Sequence, residues 1–270
     1  DMYSYRMANF LVGNRDEAAL ELTLVGPTLK VLSSATVAVC GGDLSPTRNG
    51  SPVPSWESFV VREGDVLSFG KCRRGSRAYL AVSGGLDVRP VMGSRSTDLL
   101  ARLGGLGGRP LKKGDVLYCG EAEPAPPGRY VPPEYIPDFP SEVTLRVVPG
   151  PQDDHFSPAG LETFFSSTYE VTPDSDRMGC RLEGPAIEHQ KGADIISDGV
   201  PLGAVQVPRH GRPIILLAGR QTVGGYPKIA VVITPDVDRV GQLKPGDRVR
   251  FRRVSLEEAH RELGKYLAKM

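Results

Sequence analysis

The segment GRQTVGGYPKIAVV, residues 219–232, combines side chains that could bind a small polar ligand with the start of a buried strand. Its apolar and β-branched end, Ile229–Val232, is typical of a strand. The residues that precede this strand are more than a tight turn requires. Their amide and hydroxyl groups can bond an amide or a carboxylate, paired glycines let a ligand approach the backbone, and a tyrosine ring can cover an apolar face. We therefore predict a substrate-binding loop formed by Gln221, Thr222, Gly224, Gly225 and Tyr226.

A second candidate site is GSRSTDLLARLGG, residues 93–105. Ser96 or Thr97 is predicted to cap a short helix that ends at the following glycines. Free N–H groups at such a helix start favour a carboxylate or a phosphate. We therefore predict that Ser94, Ser96 and Thr97 bind substrate and that Arg95 acts in catalysis by holding an anionic group. The alternative is that the hydroxyls only cap the helix and that Arg95 pairs with a neighbouring acid.

Two further stretches carry polar groups that could contact a substrate. Asp176 and Arg177, in DSDRMGCRLEGP, are predicted to face a polar substrate as catalytic residues. The alternative is a solvated loop with local ion pairs, each of little energetic value. Gln206 lies within an otherwise apolar strand pattern, so its amide either forms a buried hydrogen bond or binds substrate.

Motif and charge counts exclude several classes of protein. The sequence has no GxxxxGK[ST] phosphate loop, no GxSxG nucleophile elbow and no HExxH motif, and its four histidines are not spaced as metal ligands, so we predict no metal site. The four cysteines form no CxxC pair, which argues against a zinc knuckle. The formal net charge of +1 gives no electrostatic reason to expect nucleic acid or an anionic membrane as partner. The apolar runs are too short to span a bilayer, and no signal peptide is visible. We therefore predict a cytoplasmic protein.

The distribution of turn residues predicts the fold class. The 32 glycines and 24 prolines separate short runs rich in Val, Leu, Ile and Tyr. Many short strands between turns predict a mainly β protein, a sandwich or a barrel, with a few short helices. Asp1, Ser157 and Ser255 are predicted to cap three helices, the last with Glu258 as its capping-box partner.

The chain is predicted to fold in two parts. We place an N-terminal β-subdomain at residues 1–125, a proline-rich connector at 126–142 and a C-terminal β-barrel subdomain with a final helix at 143–270. A Gly-Asp turn recurs in REGDVLSFG, KKGDVLYCG and KPGDRVRFR, and LVGPTL is similar to LEGPAI. Each Gly-Asp turn is predicted to precede a strand. We interpret the recurrence as a trace of internal duplication; the alternative is turn chemistry shared by chance.

Long motifs, in order along the chain, resemble those of the allophanate hydrolase subunit 2 family, also called the biotin-dependent carboxyltransferase-like family. They are YLAVSGGLDVRPVMGSRSTDLLARLGGLGGR, VVPGPQ, DSDRMGCRLEG and GAVQVPRHGRPIILLAGRQTVGGYPKIAVV. The resemblance extends from Asp1 to about Arg253. The chain departs from the family at Gly219 and Val223, where the family usually has Asp and Thr. It opens at what resembles the Asp of the family's Ser-Gly-Ala-Met-Asp turn, so we expect an upstream segment to be missing.

The resemblance implies a two-part cyclophilin-like β-barrel arrangement and, among the family's activities, favours the C subunit of an ATP-dependent 5-oxoprolinase. Such a subunit would work with two other polypeptides: a smaller related protein, here called the small partner subunit, and a separate protein, here called the third subunit. Together they would convert 5-oxo-L-proline, a small cyclic amide, to L-glutamate, and ATP would be used through the complex.

The resemblance also leaves two other activities open. Biotin is not expected on this chain, whose nearest Lys-Met pair is at its very end. One alternative is a biotin-dependent carboxyltransferase of the urea or allophanate type, which would need a biotin carrier on another protein. The other is a non-catalytic antagonist of a sporulation histidine kinase inhibitor.

Overall fold

The computed structural model describes residues 1–121 and 125–270 and divides the chain into two compact units, Asp1–Asp138 and Phe139–Met270. The boundary lies inside the stretch predicted as a connector, and residues 122–124, just before it, lie outside the described residues. Residues 128–131, also assigned to the connector, hydrogen-bond along residues 56–58 of the first unit. The prediction of a mainly β protein with a few short helices is confirmed.

In residues 1–121 and 125–138 the first unit contains two antiparallel sheets, one α-helix and the short 3₁₀ helix Pro133–Tyr135. Helix α1 (Met2–Leu11) begins at Asp1, whose carboxylate accepts from the Ser4 N–H at 2.9 Å, so the predicted cap is confirmed. The strands are β1 (Leu20–Thr23), β2 (Thr28–Lys30), β3 (Ala35–Asp43), β4 (Thr47–Arg48), β5 (Ser51–Pro52), β6 (Ser58–Val61), β7 (Val66–Ser68) and β8 (Arg74–Val82). Their orders are β1-β8-β3-β6 and β2-β7-β4-β5. Helix α1 lies against β3 and β8.

The second unit is built on a closed seven-stranded barrel. Its elements are β9 (Glu142–Pro149), α2 (Pro158–Ser166), β10 (Tyr169–Val171), β11 (Gly179–Glu183), β12 (Asp198–Gly199), β13 (Ala204–Gln206), β14 (Ile214–Leu216), β15 (Val223–Gly224), β16 (Lys228–Val232), α3 (Thr234–Gly241), β17 (Arg248–Arg253) and α4 (Leu256–Leu267). The barrel order is β10-β11-β14-β13-β16-β9-β17, closed by pairing of β17 with β10. The β9–β17 pair is parallel, and the other strand pairs of this barrel are antiparallel.

Inward-facing apolar side chains fill the barrel, and helices start where the sequence predicts. The core includes Leu145, Tyr169, Ile215, Ile229 and Phe251. Ser157 caps α2 by accepting from the Gly160 N–H at 3.0 Å. Ser255 caps α4 by accepting from the Glu258 N–H at 3.2 Å. The Glu258 carboxylate itself accepts from Arg252 at 2.8 Å.

The recurring Gly-Asp turn has the same geometry at all three places. In each, a glycine adopts the left-handed conformation that such a turn requires, and the following Asp accepts from the backbone N–H three residues earlier. The N–H to carboxylate distances are 2.9 Å for Arg62 and Asp65, 2.8 Å for Lys112 and Asp115, and 3.0 Å for Lys244 and Asp247. Strands β7 and β17 follow the first and third turns. The strand predicted after the second turn is wrong, because residues 116–118 pair only at Tyr118, whose carbonyl accepts from Asp87.

The helix predicted to begin near Ser96 or Thr97 is also wrong. Residues 93–105 form a series of turns. The Asp98 carboxylate caps one of these turns by accepting from the Leu100 and Ala101 N–H groups, both at 3.0 Å. A left-handed φ of 56° at Arg102, inside the predicted helix, is incompatible with a continuing helix.

Helix α4 is held on the barrel by charged groups. Arg146, on β9, donates to Asp236 of α3 through its backbone N, Nε and Nη2 at 2.8, 3.0 and 2.6 Å, and to Glu262 of α4 through Nη1 at 2.6 Å. Asp236 is fully buried, whereas α4 has no buried residue. Hydrogen bonds from Lys265 and then from Arg146 lower the pKa of Glu262 to about 2. Glu262 therefore stays ionised in moderately acidic solution.

Replacing Asp236 by Ala should lower the free energy of unfolding by about 3 kcal/mol, because it leaves the Arg146 guanidinium, only 22% exposed, with Glu262 as its remaining partner. The matched control is Glu142→Ala, which removes an exposed pair with Arg250 and should cost less than about 1 kcal/mol. Urea unfolding followed by circular dichroism measures both. Equal losses would contradict the anchoring role of Asp236.

Candidate functional site

The loop predicted to bind substrate is fixed by a short antiparallel ladder in the second unit. Strand β12 pairs with β15, with Asp198 opposite Gly224 and Gly199 opposite Val223. On one side of this ladder the Val200 N–H donates to the Thr222 carbonyl at 2.9 Å, and on the other the Ile195 N–H donates to the Gly225 carbonyl at 2.8 Å. The backbone of the loop is therefore hydrogen-bonded along its length.

Several of the predicted loop residues meet at the Gln206 side chain. Gln206 is 2% exposed, and its Nε2 donates to the Tyr226 carbonyl at 3.3 Å. The exposed Gln221 donates to the Gln206 Oε1 at 3.4 Å. A Cβ added at Gly224 would lie 2.9 Å from the Gln206 Nε2, so only glycine fits there without moving that amide. Of the two readings of Gln206, the buried hydrogen bond is present, and the side chain also lies next to an exposed amide.

A buried lysine, which the sequence reasoning missed, lies beside these amides. The Lys228 side chain is 1% exposed, and its Nζ lies 3.1 Å from the Oδ2 of Asp198, whose side chain is 55% exposed. Gln152 accepts from the Lys228 N–H at 3.2 Å and donates to Asp198 at 3.4 Å. The signal in the sequence was a single Lys at the start of the apolar run KIAVV.

A β-bulge aligns Lys228 with Gln206. In the pairing of β13 with β16, the register shifts between Val205, opposite Ala230, and Gln206, opposite Lys228. Such a bulge inserts one extra residue in one strand and re-aims the side chains next to it. Opposed residues of paired strands share a sheet face. We call Gln152, Asp198, Gln206, Gln221 and Lys228 the Lys228 cluster.

The electrostatics of the Lys228 cluster follow from its one ion pair. The hydrogen bond from Lys228, and then that from the Gly199 N–H, lower the pKa of the Asp198 carboxyl below its ordinary value. Asp198 is therefore ionised at neutral pH and neutralises the ammonium. The cluster thus combines one neutralised ion pair with three carboxamides, whose donors and acceptors can bond the polar groups of a small ligand.

The Asp176–Arg177 turn packs against the start of the same loop. The Asp176 Oδ1 accepts from the Met178 and Gly179 N–H groups at 2.8 and 3.1 Å, so this carboxylate shapes the turn. The Arg177 carbonyl accepts from the Gly219 N–H at 2.8 Å. A Cβ at Gly219 would lie 3.1 Å from that carbonyl oxygen, so a side chain there would require a small shift of the Arg177 backbone. Both side chains are exposed, and their catalytic roles stay predictions.

The Ser94–Thr97 segment belongs to the first unit. Ser94 pairs with Val91 in a two-residue bridge, and its Oγ accepts from the Ser96 N–H at 3.1 Å. A Cβ on Gly105 would overlap the Thr97 Oγ1. Because no helix begins here, the predicted anion site at a helix N-terminus is wrong. Arg95 is exposed; its catalytic role and the substrate contacts of Ser94, Ser96 and Thr97 stay predictions.

Residues 1–121 and 125–270 carry neither a metal-binding cluster nor a membrane-spanning helix. In that part of the chain no group of three or more His, Cys, Asp or Glu side chains could hold a metal ion. No helix there is both long and apolar enough to cross a membrane. An open cavity of about 410 Å³ lies beside His189, Asp194 and Arg209, and an exposed pair between Arg209 and Asp194 at 2.9 Å occupies its rim.

Comparison with known proteins defines the family. The model of the carboxyltransferase domain, subdomain A and B, matches residues 1–253, and the chain belongs to this family. It is 36% identical to the 5-oxoprolinase C subunit of Escherichia coli (strain K12), over 96% of this chain and 83% of that protein. It is also 36% identical to urea amidolyase of Lachancea kluyveri, over 96% of this chain and 15% of that protein.

Solved structures agree with this assignment. The urea amidolyase of K. lactis superposes with a TM-score of 0.93 and 34% identity, over 100% of this chain and 17% of that one. TTHA0988 superposes with a TM-score of 0.83 and 39% identity, over 92% of this chain and 48% of that one. The chain therefore spans a small part of the urea amidolyases and about half of TTHA0988.

Replacing Lys228 by Met should raise the pKa of Asp198 toward its ordinary value, because the hydrogen bond that lowers this pKa most is lost. Carbon-13 NMR of the Asp carboxyl groups during an acid titration measures the midpoint. The control is Lys191→Met, which removes the main cause of the lowered pKa of Asp154 and should move that midpoint alone. An unchanged Asp198 midpoint in Lys228→Met would show that the two groups do not interact in solution.

Proposed function

We propose that this chain acts as the C subunit of an ATP-dependent 5-oxoprolinase, a cytoplasmic enzyme in which it works with the small partner subunit and the third subunit. The observation that carries the proposal is the Lys228 cluster, found in a chain 36% identical to a 5-oxoprolinase C subunit. The substrate, 5-oxo-L-proline, joins a carboxylate to a cyclic amide in one five-membered ring. A buried ammonium beside several carboxamides is complementary to those two groups.

Each group of the cluster has a binding role in this proposal. Lys228 donates to the substrate carboxylate, and its stem is held in the barrel wall so that little side-chain entropy is lost on binding. Gln206 and Gln221 bond the lactam N–H and carbonyl. Gly224 keeps the Gln206 amide in position, because any side chain there would displace that amide.

The chemistry supplied by the complex activates an amide that is otherwise slow to hydrolyse. ATP phosphorylates the amide oxygen, which makes the ring carbon electrophilic. One water then attacks that carbon and the C–N bond breaks, giving an acyl phosphate, and a second water releases phosphate and glutamate. The residues of this chain position the ring for these steps, and such positioning is a large share of the rate enhancement in enzymes.

Partner polypeptides are part of the proposal because the E. coli relative is named as one subunit of its enzyme. TTHA0988 also supports a larger assembly, since the region similar to this chain makes up 48% of that polypeptide. A comparable length of further protein is covalently joined to that region in TTHA0988.

A second candidate function is carboxyl transfer from carboxybiotin to urea or a related amide. The TM-score of 0.93 with the urea amidolyase of K. lactis favours it. The same cluster suits this reaction, because Lys228 can hold the transferred carboxylate and the carboxamides can bond urea. Biotin would then be carried by another protein or domain.

The substitution Lys228→Met should lower kcat/KM for 5-oxoproline by about 30- to 1000-fold, the usual effect of losing a charged hydrogen bond at a reacting ligand. The assay is glutamate release with ATP in the complex of this chain with both partner polypeptides. Lys191→Met removes an exposed ion pair and should leave the rate unchanged.

A glycine pair on the same ladder provides a second test. Gly224→Ala should raise KM, because the added methyl meets the Gln206 amide, whereas Gly199→Ala, with no atom within 4 Å, should not. If wild type releases glutamate and Lys228→Met matches it, the Lys228 cluster is not the binding site. If wild type releases none but carboxylates urea with carboxybiotin, the second function replaces the first. If wild type shows neither of these activities, the non-catalytic antagonist becomes the favoured function.

A further inference from the structure

A half-buried arginine, Arg220, lies at the start of the loop predicted to bind substrate, directly before Gln221. Its Nε donates to the Val200 carbonyl at 2.9 Å, and its Nη1 donates to the Leu217 carbonyl at 3.4 Å. Val200 directly follows β12 and Leu217 directly follows β14. The guanidinium is therefore held between the ends of two strands.

These two hydrogen bonds position the Arg220 guanidinium without neutralising it. Both acceptors are uncharged backbone carbonyls, and within residues 1–121 and 125–270 no carboxylate forms an ion pair with Arg220. Lys228 differs in this respect, because Asp198 neutralises its ammonium group. A charge that is partly removed from water and has no counter-ion is costly, so an anionic ligand would be stabilised beside it.

The Arg220 guanidinium also has hydrogen-bond donors left for a ligand. A guanidinium has five N–H donors in one plane. The Val200 and Leu217 carbonyls use two of them, which leaves three, including both N–H groups of Nη2. Such a planar fork matches the oxygens of a phosphate or a carboxylate and forms strong hydrogen bonds to them. Arg220 is therefore preorganised to bind an oxyanion.

The point at which Arg220 is held borders the two amides of the candidate site. A Cβ built on Gly224 would lie 3.1 Å from the Val200 Cγ2, 2.9 Å from the Gln206 Nε2 and 3.3 Å from the Gln221 Nε2. The residue whose carbonyl holds the guanidinium therefore lines the same space as both amides. An oxyanion on Arg220 would lie next to a ligand that these amides bind.

We propose that Arg220 is the phosphoryl-binding residue of this site. The inference rests on the proposed function, in which the terminal P–O bond of ATP breaks, ADP leaves, and the phosphoryl group bonds to the lactam oxygen while the lactam N–H loses its proton to water. The substrate carboxylate is assigned to Lys228, so the added phosphoryl group requires a second cation. Arg220 provides that cation and holds the phosphoryl oxygens while water attacks the ring carbon.

A simpler alternative is that Arg220 only braces the loop by joining the Val200 and Leu217 carbonyls. Bracing requires a hydrogen-bond donor but no charge. Lysine and glutamine both keep a donor at this position, and only lysine keeps the charge. The variants Arg220→Lys and Arg220→Gln therefore separate the two roles, provided that their melting temperatures equal that of wild type.

Inorganic phosphate tests the binding role on the full chain without turnover. It should shift the Arg220 Nε–H resonance in a proton–nitrogen correlation spectrum with a Kd of about 1–10 mM, the range expected of two or three charged hydrogen bonds in water. The backbone amides of Val200 and Thr222 report on the variants. Arg220→Lys should bind about tenfold more weakly, the effect of losing one charged hydrogen bond, and Arg220→Gln should not bind phosphate.

Three controls define the ligand class. Arg212→Gln removes an exposed ion pair with Glu183 and should bind phosphate as wild type does. Sodium chloride at equal ionic strength should not reproduce the shift, because screening acts on all exposed charges alike. Acetate should bind more weakly than phosphate, which carries more charge and more acceptor oxygens. Acetate binding as strong as that of phosphate would assign the site to a carboxylate and overturn the proposal.

The kinetic test uses the complex with both partner polypeptides. Arg220→Gln should lower kcat for glutamate release by about 30- to 1000-fold and change KM for 5-oxoproline less than about threefold. The phosphoryl group joins the substrate only after ATP has reacted, so losing its partner affects kcat and not substrate binding. A bracing role predicts the opposite, a raised KM, because the loop carries an amide that bonds the lactam.

Several results would contradict the proposal. Phosphate that shifts the Arg220 resonance no more than chloride does would remove the oxyanion site, and phosphate binding that Arg220→Gln retains would place it elsewhere. In a complex that releases glutamate, an unchanged kcat in Arg220→Gln would leave Arg220 with the bracing role alone. A wild-type complex that releases no glutamate, although phosphate binding still depends on Arg220, refutes the proposed function and retains the oxyanion site.

Discussion

Burial of the Lys228 ammonium is the constraint around which the candidate site is arranged. Lys228 begins strand β16 in the barrel wall, and the next two residues, Ile229 and Ala230, are buried in the core. An ammonium group in such surroundings requires an anion, since an uncompensated buried charge costs several kcal/mol. Asp198 provides that anion at 3.1 Å. Because Asp198 is also the ladder partner of Gly224, the ion pair fixes where the loop predicted to bind substrate lies.

The Lys228 cluster combines buried polar groups with exposed ones. The Lys228 stem and the Gln206 amide are buried, whereas Asp198 and Gln221 are exposed. Buried members keep their geometry, and exposed members can exchange a water or a protein contact for a ligand.

A second charged residue, Arg146, holds a helix on the outside of the barrel. It joins a buried carboxylate on α3 to a helix, α4, that contributes no buried residue. The family match ends at residue 253, and α4 begins at Leu256. Helix α4 is thus held on the barrel mainly through polar contacts, and the low pKa of Glu262 keeps this contact charged over a wide range of pH.

Local signals determined the mainly β character, the helix caps at Asp1, Ser157 and Ser255, and two of the three strands predicted after Gly-Asp turns, because alternation, capping and turn chemistry depend on residues close in the chain. The helix predicted near Thr97 is wrong although its start signals are present, because the Asp98 cap and the left-handed residues within the segment favour turns. Only the tertiary structure decided that Lys228 is buried, that a bulge sets it opposite Gln206 and that Asp198, thirty residues away, neutralises it. Burial and charge pairing depend on which strands become neighbours, and barrel closure sets that order across more than one hundred residues.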